Sequence, residues 1–529
     1  MCELSCTTVL YILRQKGLYI MKNINDMTIE EKIQQTAIFP ITSTMLREGN
    51  TKKTIPPKAG GYFIGKEIIK NDIQDIGTVK EEIENIKNKQ EIMPIICGDF
   101  ENGCGDSVTS LVSLPRHMAL GATNSKELAY LYGKVTARQA EFIGANVALA
   151  PVVDLNINPR NDLVSTRAIG DNADDAIKML SSEIAGMQDN GLSVCLKHFP
   201  GDGVDWRNQH MVTTTNGLTR EEWEKSYGKI YRELIKNGVN MIMIAHIACP
   251  CMQNDLFDGL YLPASLSSEL ISFLKSDIGF DGVCISDSLT MGGFLGWYKN
   301  SAIAQVECFK AGIDMVLFPD ETYLPAMKTA VENGWLSEKR LDDAVHRILK
   351  FKEKISPANN TVSSDEVIAL GERVSKEIAE RSITLIAKKR FVPICEKDRI
   401  LIVYLREREG EEDCKNSLTP FVTKIKEMCR NVEEASEYFC NRKKSAEYDR
   451  IIYLVKSTDI CLPDAWAALC ENVDKSIVIS FKSPYYKEYF ERAQYVINAY
   501  SDTESSQYAV VRGLFGEIKM DAKPPVNIQ

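Results

Sequence analysis

Long apolar runs are missing from this chain. Nowhere in its 529 residues does a stretch approach the roughly 18–20 apolar residues that cross a bilayer, which argues against a membrane-spanning protein. A surplus of positive charge is missing too. Lys and Arg number 63 against 73 Asp and Glu, a formal net charge of -10, and no basic block interrupts the balance. Nucleic acid and anionic lipid are therefore poor partners, and a neutral substrate is the easier one to accommodate. Paired CxxC spacings are absent although the chain holds 15 cysteines. The nearest groupings, Cys97 with Cys104 and Cys249 with Cys251, lack a second pair, so no zinc site is expected. Reduced thiols in a cytoplasmic protein are the simplest reading. The glycine-containing segments GDFENGCGD and FPGDG match no nucleotide-binding fingerprint, and no cofactor is expected. Histidine is scarce, at five residues, so where each one falls carries information.

What is present suits a globular protein. Apolar residues make up 44% and charged residues 26%, and the length is comfortable for two domains. Residues 1–20 contain a short apolar patch, VLYIL, without a basic n-region or a clean cleavage site, and read as an N-terminal extension. From Met21 to about residue 355, short apolar runs alternate with longer amphipathic segments. Eight candidate strands lie at 36–39, 61–65, 92–97, 146–150, 192–196, 241–245, 282–286 and 313–318. Helical patterns such as ADDAIKMLSSEIAGMQDNG, closed by Gly191, lie between them. Eight such repeats predict a (β/α)8 TIM-like barrel, with a doubly wound open sheet as the competing layout. SPANNTVSS at 356–364 reads as a linker. Apolar runs at 400–404, 451–455, 477–481 and 495–499 then predict a smaller αβα sandwich over 365–529.

In such barrels reacting groups collect where strands end. Reading those ends in order gives Asp99 and Glu101 in GDFENG, and Arg167 in STRAIG. Lys197 and His198 open the loop KHFPGDGVDWRNQH, which closes on His210. His246 follows the run at 241–245, and Asp287 lies in SDSLTM. Three of the five histidines thus fall at strand ends or in one loop, which scatter would seldom produce. Each residue has a plainer rival: Asp99 as a turn anchor, Arg167 and His246 as buried structural partners, Asp287 as a helix N-cap. Taken together, carboxylates with a Lys–His pair, an Arg and no metal-ligand spacing suit a polyhydroxylated neutral ligand, a sugar. A carboxylate nucleophile with an opposed proton donor is the minimum apparatus for glycosidic cleavage with retention.

The segments KHFPGDG, SDSLTM, LPRHMALGAT, NVALAPVVDLNINPR, RAIG and LPASLSSELISFLKSDIGFDGVCISDS together resemble glycoside hydrolase family 3, and most of all its β-N-acetylglucosaminidase branch. ERSITLIAK, SFKSPYY and NAYSDTESSQYAVVRGLFGE resemble the family's αβα domain. The resemblance implies a retaining exo-acting β-glycosidase that releases terminal N-acetylglucosamine through a covalent glycosyl-Asp287. Asp99, Arg167, Lys197 and His198 match positions that hold sugar hydroxyls, and His246, from its strand-end position, is expected to bind the sugar with them. His210 falls on the branch's acid/base histidine, but Asn208 stands where the branch has an aspartate.

An amide can orient an imidazole, yet it supplies no charge to raise its pKa, so Asp205 or Asp202 would have to substitute if a carboxylate is needed. The resemblance leaves β-glucosidase and β-N-acetylglucosaminide phosphorylase as alternatives, the latter with phosphate as co-substrate. It also implies a second domain that either reaches over the site or makes homodimer contacts. A catalytically silent sugar-binding protein on the same scaffold is the reading from a different class. Asn208 favours it; an intact Asp287 opposes it.

Overall fold

A computed structural model describes residues 22–41, 58–65, 76–355, 362–405, 417–436, 445–455, 468–485 and 490–528. The extension at 1–20 and most of the 356–364 linker lie outside them.

All eight strands expected in the first region form, and they close on themselves. β1 (Ala37–Pro40), β2 (Gly61–Phe63), β3 (Ile95–Gly98), β4 (Val147–Ala148), β5 (Ser193–Phe199), β7 (Met241–Ile244), β9 (Val283–Ser288) and β10 (Met315–Leu317) make a parallel barrel. Its spatial order is β1-β10-β9-β7-β5-β4-β3-β2, which excludes the open sheet. A short pair outside the barrel, β6 (Thr214–Thr215) with β8 (Ile247–Ala248), ties two of the upper loops together.

The strands could be read as apolar runs because both of their faces are buried. Alternate residues such as Ile95, Cys97, Cys195, Met241, Val283 and Ile285 fill the barrel interior, and Ile348 and Phe351 of the helix Glu338–Lys354 plug its lower end. Intervening residues pack against the surrounding helices. The helices stop and start on local signals. Ser125 caps Lys126–Ile143 through Leu128 N–H, and Gly144, at φ +81°, ends it in a left-handed turn that a side chain would strain.

Two of the strands are irregular. In β5, Cys195 and Leu196 pair with Met241 and Ile242, but the next pairing is Phe199 with Ile244. One extra residue is therefore accommodated at Lys197–His198. In β9 the pairing runs from Ile285–Met315 to Ser288–Leu317, so an extra residue sits at Ser286–Asp287. A bulge of this kind re-aims side chains at a strand end. Both occur where the sequence placed reacting groups.

The second region forms a six-stranded sheet in the order β11-β16-β15-β14-β12-β13. The expected runs became β12 (Arg399–Leu405), β14 (Arg450–Val455), β15 (Ser476–Ser480) and β16 (Tyr495–Asn498). The two edge strands lie outside those expected runs. β13 (Asn431–Ser436) reads NVEEAS, and β11 (Thr384–Ala387) is the single antiparallel member. Edge strands need only half the burial of central ones, so their sequences stay polar or short.

The helix Ser364–Ser382 joins the two regions. Its Ser375 hydroxyl donates to Ser113 O in the barrel (3.3 Å) and meets Ser505 Oγ of the second domain at 2.7 Å.

Candidate active site

At the upper ends of β3 and β5 a charged lattice forms the pocket floor. Lys197, almost wholly buried, places its Nζ 2.7 Å from both Asp99 Oδ1 and Glu101 Oε1. Glu101 in turn accepts two hydrogen bonds from Arg167, Nε to Oε2 at 2.9 Å and Nη2 to Oε1 at 2.8 Å. Burial works against Glu101, Arg167 and Lys197, but mutual pairing overcomes it. Glu101 is held well below the usual carboxylate range by Arg167 and Lys197, and Lys197 is held above the usual lysine range by Asp99 and Glu101. Asp99 is the member that reaches outward, its side chain 52% exposed.

His198 completes the floor. Its Nδ1 lies 2.6 Å from Asp154 Oδ2, so Nδ1–H donates and Nε2 is left facing Arg167 Nη2 at 3.5 Å. Asp154 Oδ1 also accepts the backbone N–H of His198 and of Asp202. Neither Asp154 nor Glu101 was assigned a role from sequence. The signal for Asp154 was a carboxylate embedded in the apolar stretch PVVDL, where burial demands a partner.

Asp287 is not a helix cap. It lies within β9, buried, and its own Oδ1 accepts Ser288 N–H at 2.7 Å, while Met291 caps the turn Gly292–Leu295 that follows. Burial alone would raise its pKa; His198, His246, the Ser288 N–H and Lys197 together outweigh it and hold the carboxyl below its usual range. Its charge is felt in turn at His210.

His210 stands on the loop after β5, its ring exposed. Asn208 Oδ1 lies 2.9 Å from His210 Nδ1 and accepts His210 N–H at the same distance. The shared backbone bond fixes the amide oxygen toward the ring. Nδ1–H therefore donates, and Nε2 is the atom left for chemistry. Partial desolvation by the surrounding protein lowers the pKa of this solvent-accessible histidine, and the opposing pull of Asp287 does not restore it.

The carboxylates expected to substitute for the missing aspartate do not reach the ring. Asp205 is taken by Arg207 and by Thr215 N–H, and Asp202 accepts from Asn161 Nδ2, Gly203 N–H and Gln209 Nε2. Asp202 is pushed up to about 6 by burial and by the charge of Asp154.

His246 is a correction. Expected to touch the sugar, it is fully buried with both ring nitrogens engaged. Nε2–H donates to Ser288 O at 2.9 Å, and Nδ1 meets Ser265 Oγ at 2.8 Å. Its ring lies 5.4 Å from that of Phe294, and its N–H donates to Gln209 Oε1. It braces the peptide next to Asp287, the structural role weighed for it from sequence, though its partners are hydroxyl and carbonyl groups, not carboxylates. Gln209, also missed from sequence, links this brace to Asp202 and so pins the His210 loop to the barrel.

That loop is seated on the segment after Asp287. Gly292 N–H donates to His210 O and Gly293 N–H to Gln209 O. A Cβ on Gly292 would come within 2.3 Å of Met211 O, so only glycine allows this approach. Among the described residues no helix is long and apolar enough to cross a membrane, and no cluster of His, Cys, Asp and Glu has the arrangement of a metal site.

Residues 28–351 match the glycosyl hydrolase family 3 N terminal domain. A β-N-acetylglucosaminidase/β-glucosidase from Cellulomonas fimi is 28% identical over 484 residues, covering 84% of this chain and 85% of that protein. Among solved structures, a glycoside hydrolase family 3 β-N-acetylglucosaminidase from Paenibacillus sp. str. FPU-7 superposes with a TM-score of 0.81 at 23% identity, over 95% of this chain and 99% of that one. The β-glucoside phosphorylase BglX superposes with a TM-score of 0.83 at 23% identity, over 99% and 96%. The family match spans more than half of the sequence and takes in every residue of the pocket described above: the chain belongs to glycosyl hydrolase family 3 and is a glycoside hydrolase acting on O-glycosyl bonds.

Proposed function

We propose that the protein is a retaining, exo-acting β-N-acetylglucosaminidase, with Asp287 as nucleophile and His210 as acid/base. The observation that carries this reading is the buried Asp287 at a bulged strand end, its carboxyl held below the usual range, together with the paired lattice of Asp99, Glu101, Arg167 and Lys197 and an exposed histidine whose Nε2 is left for chemistry. Asp99, Arg167, Lys197 and His198 hold the glycon hydroxyls. In the first step Asp287 attacks the anomeric carbon while His210 Nε2–H protonates the departing oxygen. In the second, neutral His210 takes a proton from water as it displaces the carboxylate. The activity for which the Cellulomonas fimi relative is named supports N-acetylglucosamine as the glycon and leaves glucose as the alternative.

Phosphorolysis has one specific observation in its favour. With Asn208 beside His210, an incoming phosphate dianion meets no second carboxylate on that side, and a nucleophile already ionised needs no base. A cytoplasmic setting, where phosphate is plentiful, agrees with the free thiols of all ten described cysteines, seven of them buried.

The test uses aryl β-N-acetylglucosaminide and aryl β-glucoside, each with and without phosphate, and identifies the sugar product. Free N-acetylglucosamine supports hydrolysis, and a sugar 1-phosphate makes the enzyme a phosphorylase. A 2-deoxy-2-fluoro glycosyl donor should leave its mass on the peptide carrying Asp287, and labelling elsewhere would overturn the nucleophile.

A further inference from the structure

Exposed apolar side chains are ordinary when they are scattered. Here they are not. Eleven large ones are exposed among the described residues, and seven of these lie on loops leaving the upper ends of β4, β5, β7 and β9. Trp206, Met211 and Val212 belong to the His210 loop itself, Leu256 and Leu260 to the turn beyond β8, and Leu295 to the helical turn after Asp287. Met211 is 74% exposed, Trp206 64% and Leu260 63%, so most of each residue's surface meets water.

These loops are joined to one another. Phe257, paired through its backbone with Leu260, packs its ring 6.2 Å from Trp297 and 5.5 Å from Tyr298. Trp297 Nε1–H donates to Thr213 Oγ1 at 2.7 Å, which returns the chain of contacts to the His210 loop. The helical turn carrying Leu295 begins at Gly292, whose N–H is bonded to His210 O. The loops that bear these apolar groups thus form one connected rim beside the proton donor.

Chemistry states what must lie against that rim. A proton leaving His210 Nε2 goes to the oxygen between sugar and leaving group, so the leaving group has to sit beside His210 when the bond breaks. The polar lattice is assigned to the glycon by the reading above. We propose that the rim formed by Trp206, Met211, Val212, Leu256, Leu260 and Leu295 is the leaving-group subsite, and that it selects glycosides whose aglycone is an apolar alkyl or aryl group over those whose aglycone is another sugar. This rests on the assignment of Asp287 and His210 above and names the half of the substrate which that assignment leaves open.

The experiment is a series of n-alkyl β-N-acetylglucosaminides from methyl to hexyl, with N,N′-diacetylchitobiose for comparison. Leaving-group basicity is nearly constant along the alkyl series, so only apolar area changes. Full burial corresponds to about fourfold in kcat/KM per methylene, and a partly open rim should still give at least about tenfold from methyl to hexyl. The hexyl glycoside should also exceed chitobiose. In the double variant Met211→Ser, Leu260→Ser the hexyl-to-methyl ratio should fall below about threefold.

A flat series, a preference for chitobiose, or a slope that survives the double variant would overturn the proposal. So would a concentration-dependent dimer, seen by sedimentation, that the double variant abolishes, because the rim would then belong to a second copy. If N-acetylglucosaminides are inert but β-glucosides turn over, the glycon reading fails alone, and the same slope read with alkyl β-glucosides still decides the rim. Silence on every glycoside of both series would overturn both readings.

Discussion

The two sides of the pocket are built by opposite means. On the glycon side Lys197 and His198 belong to a barrel strand, Glu101 and Asp99 follow another, and every charge is paired before substrate arrives. On the proton side His210 hangs from a loop, exposed, oriented by a neutral amide and with its pKa lowered. Glycon binding therefore depends on a preorganised electrostatic frame, whereas proton delivery depends on one hydrogen bond and a seat on Gly292. The difference teaches that loss of a floor residue should cost both stability and turnover. Change in the loop should alter pH dependence and leaving-group sensitivity while sparing the fold.

The largest effect is expected where the two sides meet. Asp287→Ala should lower turnover of every substrate by about 10⁴-fold or more, with sugar binding retained, as measured by single-turnover kinetics and ligand-induced thermal stabilisation. Next comes Lys197→Met, which leaves Asp99 and Glu101 without their shared cation. Asp99 can return to water and Arg167 still neutralises Glu101, so the cost should lie near the low end for a broken buried pair, about 3 kcal/mol. A fall in the denaturant midpoint, together with a severe loss of kcat/KM, would match it. An unchanged midpoint would remove the contrast drawn between the two sides.

On the loop, the acid form of His210 is lost as pH rises through a pKa that lies below the ordinary histidine value of about 6.5. Cleavage of alkyl glycosides, which need protonation, should decline through that weakly acidic range, while the low pKa of Asp287 keeps the nucleophile ionised throughout it. Asn208→Asp should move the alkaline limb upward by about one pH unit and raise alkyl-glycoside turnover near neutrality by about tenfold, with aryl glycosides little changed. A limb that stays in place would show that Asn208 does not govern the ring. The smallest change is expected at His246. His246→Leu removes the donor to Ser288 O and should lower kcat by about fivefold with KM unmoved, while His246→Gln should recover part of the loss. A rise in KM instead would restore this histidine to the sugar.

Much of this was legible in the residues because burial on both faces writes a strand as an apolar run. The eight barrel strands and four of the second sheet were visible for that reason. β11 and β13 were not, since an edge strand can remain short or polar. Among site residues, strand-end position brought Asp99, Arg167, Lys197, His198 and Asp287 to one pocket. The same rule misjudged His246, because a histidine that grips a ligand and one that braces a neighbouring peptide look alike in a sequence. Asp154 and Gln209 act across space on partners distant in the chain, and the bulges at Lys197–His198 and Ser286–Asp287 appear only once strands are in register.

The closeness of Gly292 to Met211 has a consequence for anyone who would move this chemistry elsewhere. The segment bearing His210 does not carry its own address. Its resting place is moulded by two glycines that follow the nucleophile, so the donor and Asp287 form a two-part cassette. A transplant of 201–213 into a barrel with larger residues at those positions would arrive with its histidine lifted away from the bond it is meant to break. The pair would have to be inherited, or engineered, together.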